Sequence, residues 1–182
     1  MKTTNFHKDL ALSQSPKITA AIWKIISDHF PEADAITPAD IDDDKKGTDY
    51  WIDFSNGKRE SLDYKIRYKD YYDTDPLHRT AFIELVANTT SGKLGWSIDP
   101  MKQTDHVLFY YADTVYFKFY SARELRGAIL KYLNHLKKSG QPFTTTTATF
   151  NGGSYESTGI VVSHEELERC ISAYKHVNRK AA

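Results

Sequence analysis

The sequence predicts an α/β (α+β) fold in which a central β-sheet is flanked by helices. Between residues 48 and 120, several segments alternate apolar and polar residues, as strands with one buried face do. Segments with apolar residues at helical spacing lie on either side, at 16–30 and 122–138. A β-hairpin and a further helix are predicted after them, so we expect a C-terminal extension from residue 139.

Size and composition limit the possible function classes. The 182 residues can bury a core, and we expect one domain, 1–182, with a core at about 16–138 and an extension at 139–182. The formal net charge is zero, so no global basic field attracts nucleic acid. The single cysteine, Cys170, excludes an internal disulfide. No apolar run spans a membrane and no signal-peptide core is present, so we expect a cytoplasmic protein without membrane partners.

The first helix is predicted from Pro16, with Ser15 as its cap, and Pro31 ends it. Its inward residues follow helical spacing: Ile18, Ala21, Ile22, Ile25, Ile26 and Phe30. The connector 32–46 is polar and ends in an acidic run. It lacks the spacing and the glycine of a calcium loop, so we predict a flexible solvated loop.

Two alternating segments, 48–54 and 61–68, read as a hairpin around Gly57. A two-residue Asn-Gly loop would send their apolar residues to opposite faces. A three-residue loop with Gly57 in the left-handed region places them on one face, so burial selects it. That register sets Asp49 opposite Asp63, with β-carbons roughly 5 Å apart.

Paired carboxylates are destabilising unless positive charge lies between them. Lys65 shares their face two residues after Asp63. If Arg79–Ala87 continues the meander as a third strand, Glu84 reaches the same face. A divalent cation would complete the arrangement, since hard oxygen ligands suit Mg²⁺ or Mn²⁺.

Asp49 followed by Asp63-Tyr64-Lys65 resembles the signature of the PD-(D/E)XK (restriction endonuclease-like) nuclease superfamily, which includes many restriction enzymes and Holliday-junction resolvases. That signature is an acid on one strand and then acid-x-lysine on the next. The resemblance is to the small phage- or bacterial-type proteins of this superfamily. The resemblance covers about Pro16 to Lys138, including the order helix, three strands, helix, strand. Thr48 departs from the family proline, and the helix usual after the third strand is poorly marked.

The resemblance implies a mixed central sheet and a metal-dependent endonuclease that hydrolyses phosphodiester bonds in DNA. Asp49, Asp63, Lys65 and Glu84 would be catalytic. The two aspartates, Glu84 and the backbone carbonyl of Tyr64 would hold Mg²⁺ or Mn²⁺. DNA is the expected partner, and a homodimer is one way for a small enzyme to cut both strands. Candidate DNA contacts are Arg67, Lys69, Lys93, Lys102 and Gln103.

Other interpretations stay open. Asp63 and Lys65 could belong to a surface ion-pair ladder with Asp53, Arg59 and Arg67. The protein could instead be a catalytically silent module that binds DNA or a protein partner, as a phage-encoded inhibitor of host defence would. Residues 93–103 could form a plain surface loop over the core. Tyr71 and Tyr72 could stack on bases or pack beneath their own loop.

The rest of the chain predicts strands and capped helices. Predicted strands lie at 105–111 and 114–120, and a hairpin joins 144–150 to 157–162 across Asn151-Gly152-Gly153. Capping boxes at Ser121–Glu124 and Ser163–Glu166 begin the last two helices. None of the seven histidines has zinc spacing, and Cys170 falls at a helical core position with no basic setting to activate it.

Overall fold

The computed structural model describes residues 2–3, 15–67, 80–148 and 154–181, which contain ten strands and four helices. The strands are β1 Lys2–Thr3, β2 Ala33–Pro38, β3 Tyr50–Phe54, β4 Arg59–Arg67, β5 Thr80–Asn88, β6 Lys93–Leu94, β7 His106–Tyr111, β8 Tyr116–Ser121, β9 Gln141–Ala148 and β10 Ser154–Ser163. The helices are α1 Pro16–His29, α2 Ile41–Lys45, α3 Ala122–Ser139 and α4 His164–Ala181. The predicted α/β fold, with a mixed sheet, flanking helices and a C-terminal strand plus helix, is confirmed.

The described residues group into two units, each with its own five-stranded sheet. Unit A comprises 15–67 and 100–122, and its sheet has the order β2-β3-β4-β7-β8. Unit B comprises 2–3, 80–99, 123–148 and 154–181, and its sheet has the order β1-β9-β10-β5-β6. Both sheets are mixed, since β4 runs parallel to β7 and β1 parallel to β9. The expectation of one domain over 1–182 stays a prediction.

Helix α1 covers one face of the unit A sheet. Pro16 occupies its first turn, and the predicted apolar stripe is buried against β2, β3, β4 and β7. Each fully buried isoleucine contributes roughly 1.5–3 kcal/mol. The buried residues of this core are Ile18, Ile22, Ile25, Ile26, Phe30, Ile36, Tyr50, Ile52, Leu62, Leu108 and Tyr110. This packing decides which face of β3 and β4 is apolar, and therefore which face carries the acids.

The predicted hairpin register is confirmed. Tyr50 pairs with Leu62 and Asp53 with Arg59, so residues 55–57 form a three-residue loop. Gly57 has φ +79°, a conformation that favours glycine, and its N–H donates to the Phe54 carbonyl at 2.9 Å. The apolar residues of both strands consequently share the face that packs on α1.

The connector 32–46 differs from its prediction as a flexible loop. Residues Ala33–Pro38 form edge strand β2 on β3, and Ile41–Lys45 form the short helix α2. The Asp40 side chain caps α2 by accepting from the N–H groups of Asp42 and Asp43, both at 2.9 Å. The prediction was wrong because Ile36 is the one buried residue of β2, so an edge strand of this kind shows no alternating pattern.

The predicted three-strand meander is also wrong. The free edge of β4 is taken by β7, in parallel register from Leu62–His106 to Arg67–Tyr111. Strand β5, which carries Glu84, lies in the unit B sheet between β10 and β6. Residues 107–111 of β7 are all buried, which confirms its prediction as an inner strand covered on both faces. That burial outweighs the tendency of consecutive strands to pair.

In unit B the predicted C-terminal hairpin and helix are present as β9, β10 and α4. Their turn, 149–153, lies outside the described residues. Gly159 of β10 is a required glycine, because a β-carbon there would collide with the Ile83 backbone of β5. Among the helices that the structure describes, none is both long and apolar enough to cross a membrane.

Candidate metal and catalytic site

The two predicted acids meet where β3 begins beside β4. Asp49 lies directly before β3, and its backbone N–H donates to the Leu62 carbonyl at 2.8 Å. Its carboxylate Oδ2 accepts from the N–H of Tyr64, the residue after Asp63, at 2.7 Å, and the charge of Asp63 acts on its carboxyl group. The sequence-predicted juxtaposition of Asp49 and Asp63 is therefore present.

The segment before Asp49 is held by a turn that requires glycine. Gly47 has φ +94°, and a β-carbon there would come within 2.9 Å of the Lys102 side chain and 3.0 Å of the Thr104 hydroxyl. The Lys102 ammonium donates to the Lys45 carbonyl at 2.9 Å, and the Gln103 N–H donates to the Lys46 carbonyl at 3.0 Å. These contacts position the backbone two residues ahead of the first acid.

Lys65 supplies the positive charge of the cluster. Its Nζ donates to Asp63 Oδ1 at 2.7 Å, and both side chains are largely withdrawn from solvent, 23% exposed for Lys65 and 8% for Asp63. Alternation along β4 explains the contact, because residues 63 and 65 point to the same face. We call Asp49, Asp63 and Lys65 the carboxylate-lysine cluster.

The electrostatics of the carboxylate-lysine cluster leave it short of positive charge. Burial raises the pKa of the Asp49 carboxyl well above its usual range, and the neighbouring charge of Asp63 raises that pKa further, while Lys65 lowers it. Two carboxylates thus share one ammonium. Such a pair holds either a proton or an additional cation, and its oxygen donors suit a hard divalent ion.

The third oxygen donor predicted for this ion is the Tyr64 backbone carbonyl. The N–H and C=O of one strand residue face the same neighbouring strand. The Tyr64 N–H points to the Asp49 carboxylate. The Tyr64 carbonyl therefore faces the same edge of β4, beyond the first paired residue of β3. The donor set of the chain fits Mg²⁺ or Mn²⁺ in chemical type.

The remaining predicted site residues are distributed more widely. Glu84 and Lys93 belong to unit B, where the Glu84 carbonyl accepts from the Ser97 hydroxyl at 2.5 Å and Lys93 is exposed. Arg67 ends β4 and donates to the neighbouring Ile66 carbonyl at 2.9 Å. Lys69, Tyr71 and Tyr72 lie outside the described residues.

The alternative of a surface ion-pair ladder is realised only in part. Arg59 pairs with Asp53 at 2.5 Å near the hairpin turn, with side chains 54% and 29% exposed. Asp63 and Lys65 form a separate pair that is much less exposed. Shielding from water strengthens a charge pair and makes unbalanced charge more costly. We therefore expect the charges of Asp63 and Lys65 to affect stability more than those of Asp53 and Arg59.

Sequence patterns alone did not single out two polar residues that fix β4 behind the acids. The buried Ser61 donates through both N–H and Oγ to Asp105 Oδ2, each at 2.8 Å. Asp105 precedes β7, so this contact ties β4, the strand that bears Asp63, to its parallel neighbour β7. A serine in an alternating strand carries no local signal for such a contact.

Unit B contains a second group of potential metal ligands that the sequence reasoning missed. His135 of α3 and Glu166 and Cys170 of α4 lie together, with His135 Nε2 to Glu166 Oε1 at 2.6 Å. Burial raises the pKa of the Cys170 thiol, and the negative charge of Glu166 adds to the effect. The i, i+4 spacing of Glu166 and Cys170 was a usable signal, but the histidine comes from another helix.

Comparisons of this chain with protein-family models, with curated proteins and with solved structures yield no match. The resemblance to PD-(D/E)XK nucleases therefore depends on the residues of the motif and on their placement.

Proposed function

We propose that the chain is a Mg²⁺-dependent endonuclease that hydrolyses phosphodiester bonds in DNA. One observation carries the proposal: Asp49, Asp63 and Lys65 form a shielded cluster whose negative charge is only partly balanced. A structural ion pair needs one acid and one base. The second buried acid adds an electrostatic cost that a bound divalent ion would remove.

Asp49, Asp63 and the Tyr64 carbonyl would hold the ion, and Mn²⁺ would serve in place of Mg²⁺. The ion would supply Lewis-acid chemistry, lowering the pKa of a bound water and stabilising negative charge on the phosphate. Glu84 stays a predicted further ligand. The proposal does not depend on it.

We assign to Lys65 the role of contacting the reacting atoms. Its ammonium lies 2.7 Å from Asp63, which orients it on the polar face of β4. An oriented ammonium donates a hydrogen bond to the attacking water or to a phosphate oxygen, where charge accumulates in the transition state. Asp49 and Asp63 would bind the ion, and Asp63 has the second task of positioning Lys65.

DNA contacts are proposed from the cations that flank this cluster. Arg67 shares the face of Lys65 at the end of β4, and Lys102 lies beside the turn that leads to Asp49. Gln103, Lys69 and Lys93 complete the proposed set. Because the net charge of the chain is zero, we expect local phosphate contacts to give weak, strongly salt-dependent binding.

Nicking of supercoiled plasmid with Mg²⁺ or Mn²⁺ tests the proposal. We expect nicking by the wild type and loss of nicking in Asp63→Ala and Lys65→Ala. Asp53→Ala is the matched control, because Asp53 lies on the same hairpin in an exposed ion pair and should leave nicking unchanged. Glu84→Ala in the same assay tests its predicted role.

A second candidate function is binding of DNA or a protein partner without cleavage. It is favoured by the 2.7 Å Asp63–Lys65 contact, a closed ion pair that needs no metal. Inactivity of the wild type on plasmid, single-stranded and branched DNA would reject the nuclease proposal. Retained, salt-dependent DNA binding in that case would support the binding module. Metal titration by calorimetry then shows whether the aspartates bind an ion.

A further inference from the structure

Helices α3 and α4 of unit B bring together three different metal-ligating groups. The imidazole of His135, the carboxylate of Glu166 and the thiol of Cys170 each offer one ligand atom, and these atoms lie within 4.8 Å of one another. Among the described residues, these three form the one group of at least three such side chains that are close enough together to hold an ion. Glu166 and Cys170 are one helical turn apart, so they share a face of α4.

The orientation of the Glu166 carboxylate is the main evidence for a ligand role. Ser163 caps α4 by accepting from the Glu166 N–H at 3.2 Å, and in a full capping box the glutamate turns back toward the cap. Here Oε1 faces His135 Nε2 at 2.6 Å and Cys170 Sγ at 3.9 Å, while Oε2 meets Arg169 at 2.5 Å. Arg169 therefore holds one oxygen and leaves the other directed at the imidazole and the thiol.

Two of these three potential ligands are buried, and the third is exposed. Glu166 and Cys170 are 8% and 5% exposed, whereas the His135 side chain is 57% exposed. Bond lengths typical of zinc imply ligand-to-ligand separations of about 3.3–3.8 Å. The N–O and S–O distances of 2.6 and 3.9 Å lie on either side of that range. A shift of the exposed imidazole away from Oε1 would lengthen the N–O distance, and a small movement of the Cys170 thiol toward Oε1 would shorten the S–O distance.

We infer that His135, Glu166 and Cys170 form a Zn²⁺ site with three protein ligands and a fourth position open to solvent. A set of one nitrogen, one oxygen and one sulfur selects a borderline cation such as Zn²⁺ over Mg²⁺ or Ca²⁺. Glu166 binds through Oε1 alone, because Arg169 occupies Oε2. The bound ion ties α3 to α4. The site uses no residue of the carboxylate-lysine cluster, so it stands whether or not the chain cleaves DNA.

Spectroscopy with Co²⁺ tests the site directly. The untagged full chain is treated with chelator, returned to excess Mg²⁺ so that oxygen sites are filled, and titrated with Co²⁺. We expect one equivalent to bind with a near-ultraviolet thiolate-to-cobalt absorption band, which Zn²⁺ removes by displacement. Cys170 is the single cysteine of the sequence, so this band reports that residue alone. Absence of the band in the wild type overturns the site.

Two histidine variants test the site without disturbing the core. His135→Gln is expected to lower the affinity for Zn²⁺ by about tenfold or more in competition with a chromophoric chelator. His176→Gln is the matched control, since His176 is an exposed histidine of α4, the helix that carries Glu166 and Cys170. Equal Zn²⁺ affinity in His135→Gln and the wild type overturns the assignment. Cys170→Ser, checked for folding by circular dichroism, should lose the cobalt band.

Discussion

The carboxylate-lysine cluster of unit A and the His135-Glu166-Cys170 group of unit B are built by opposite routes. The first is made by neighbouring strands of one hairpin, and its ligand atoms are oxygens with an adjacent ammonium. The second is made by two helices from positions about thirty residues apart, and it mixes nitrogen, oxygen and sulfur. Donor chemistry therefore predicts a hard ion for the first and a borderline ion for the second.

The two clusters also differ in how their charge is balanced. In unit A, two acids share Lys65, and the pKa of Asp49 is raised by burial and by Asp63. In unit B, the single acid Glu166 already meets Arg169 and His135. The first cluster has two acids for one ammonium unless a cation or proton is added, whereas the acid of the second already has two cationic or hydrogen-bonding partners. If both proposals hold, we expect the Mg²⁺ ion to be required for nuclease activity and the Zn²⁺ ion to add stability to unit B.

The largest expected effect is on the rate of plasmid nicking, which should fall for a variant of the first cluster and not for a variant of the second. Asp63→Asn should lower Mg²⁺-dependent plasmid nicking by about 100-fold or more, because it removes an ion ligand and the group that orients Lys65. Cys170→Ser should leave nicking within about twofold of the wild type, with the rate measured by gel densitometry. Equal losses in both variants would show that the two clusters are not functionally distinct.

The next largest effect is on stabilisation by metal ions, which should differ between the two clusters according to the ion. Mg²⁺ at about 100 times its Kd should raise the free energy of unfolding by about 2.7 kcal/mol. That increase should vanish in Asp49→Asn and persist in His135→Gln, while stabilisation by Zn²⁺ should show the reverse pattern. Differential scanning fluorimetry with chelator-treated protein measures both. Stabilisation by Mg²⁺ that survives in Asp49→Asn would place the Mg²⁺ elsewhere.

A smaller effect concerns the charge balance itself. In chelator at neutral pH, Asp49→Asn should stabilise the protein by about 1 kcal/mol, because it removes one of two buried carboxylates and keeps an oxygen to accept from the Tyr64 N–H. Urea unfolding followed by tryptophan fluorescence measures the change. Glu166→Gln is the matched comparison and should destabilise, since it removes the negative charge that pairs with Arg169. Destabilisation by Asp49→Asn would mean that its charge is already balanced.

The smallest expected effect is a pH dependence of stability that comes from His29, a residue of unit A outside the carboxylate-lysine cluster. Burial lowers the pKa of His29 below its usual 6.5, and the charge of His106 lowers it further. The folded protein thus favours neutral His29, so this contribution to stability is complete above pH 6.5 and is lost as pH falls below it. His29→Gln should flatten the dependence of unfolding midpoint on pH between about 7 and 5. An unchanged slope would assign that dependence to other groups.

The hairpin of unit A could be predicted because its determinants are local. Gly57 sets the turn, and alternation sets the faces, so the register and the meeting of Asp49 with Asp63 follow from adjacent residues. The helices α1, α3 and α4 were predictable for the same reason, from 3.6-residue spacing, although the Ser15 side chain makes no capping hydrogen bond at α1. Strand β2 was missed because its partner β3, and not its own pattern, stabilises it.

The sequence by itself determined the helices α1, α3 and α4, the hairpin register and the face on which Asp49, Asp63 and Lys65 lie, because these depend on periods of 2 and 3.6 residues and on one turn. Only the tertiary structure decided which strands are neighbours: β7 and not β5 lies beside β4, so Glu84 belongs to a different sheet. It also decided that His135 meets Glu166 and Cys170. Both outcomes depend on packing between segments that are far apart in the sequence, which local periodicity does not reveal.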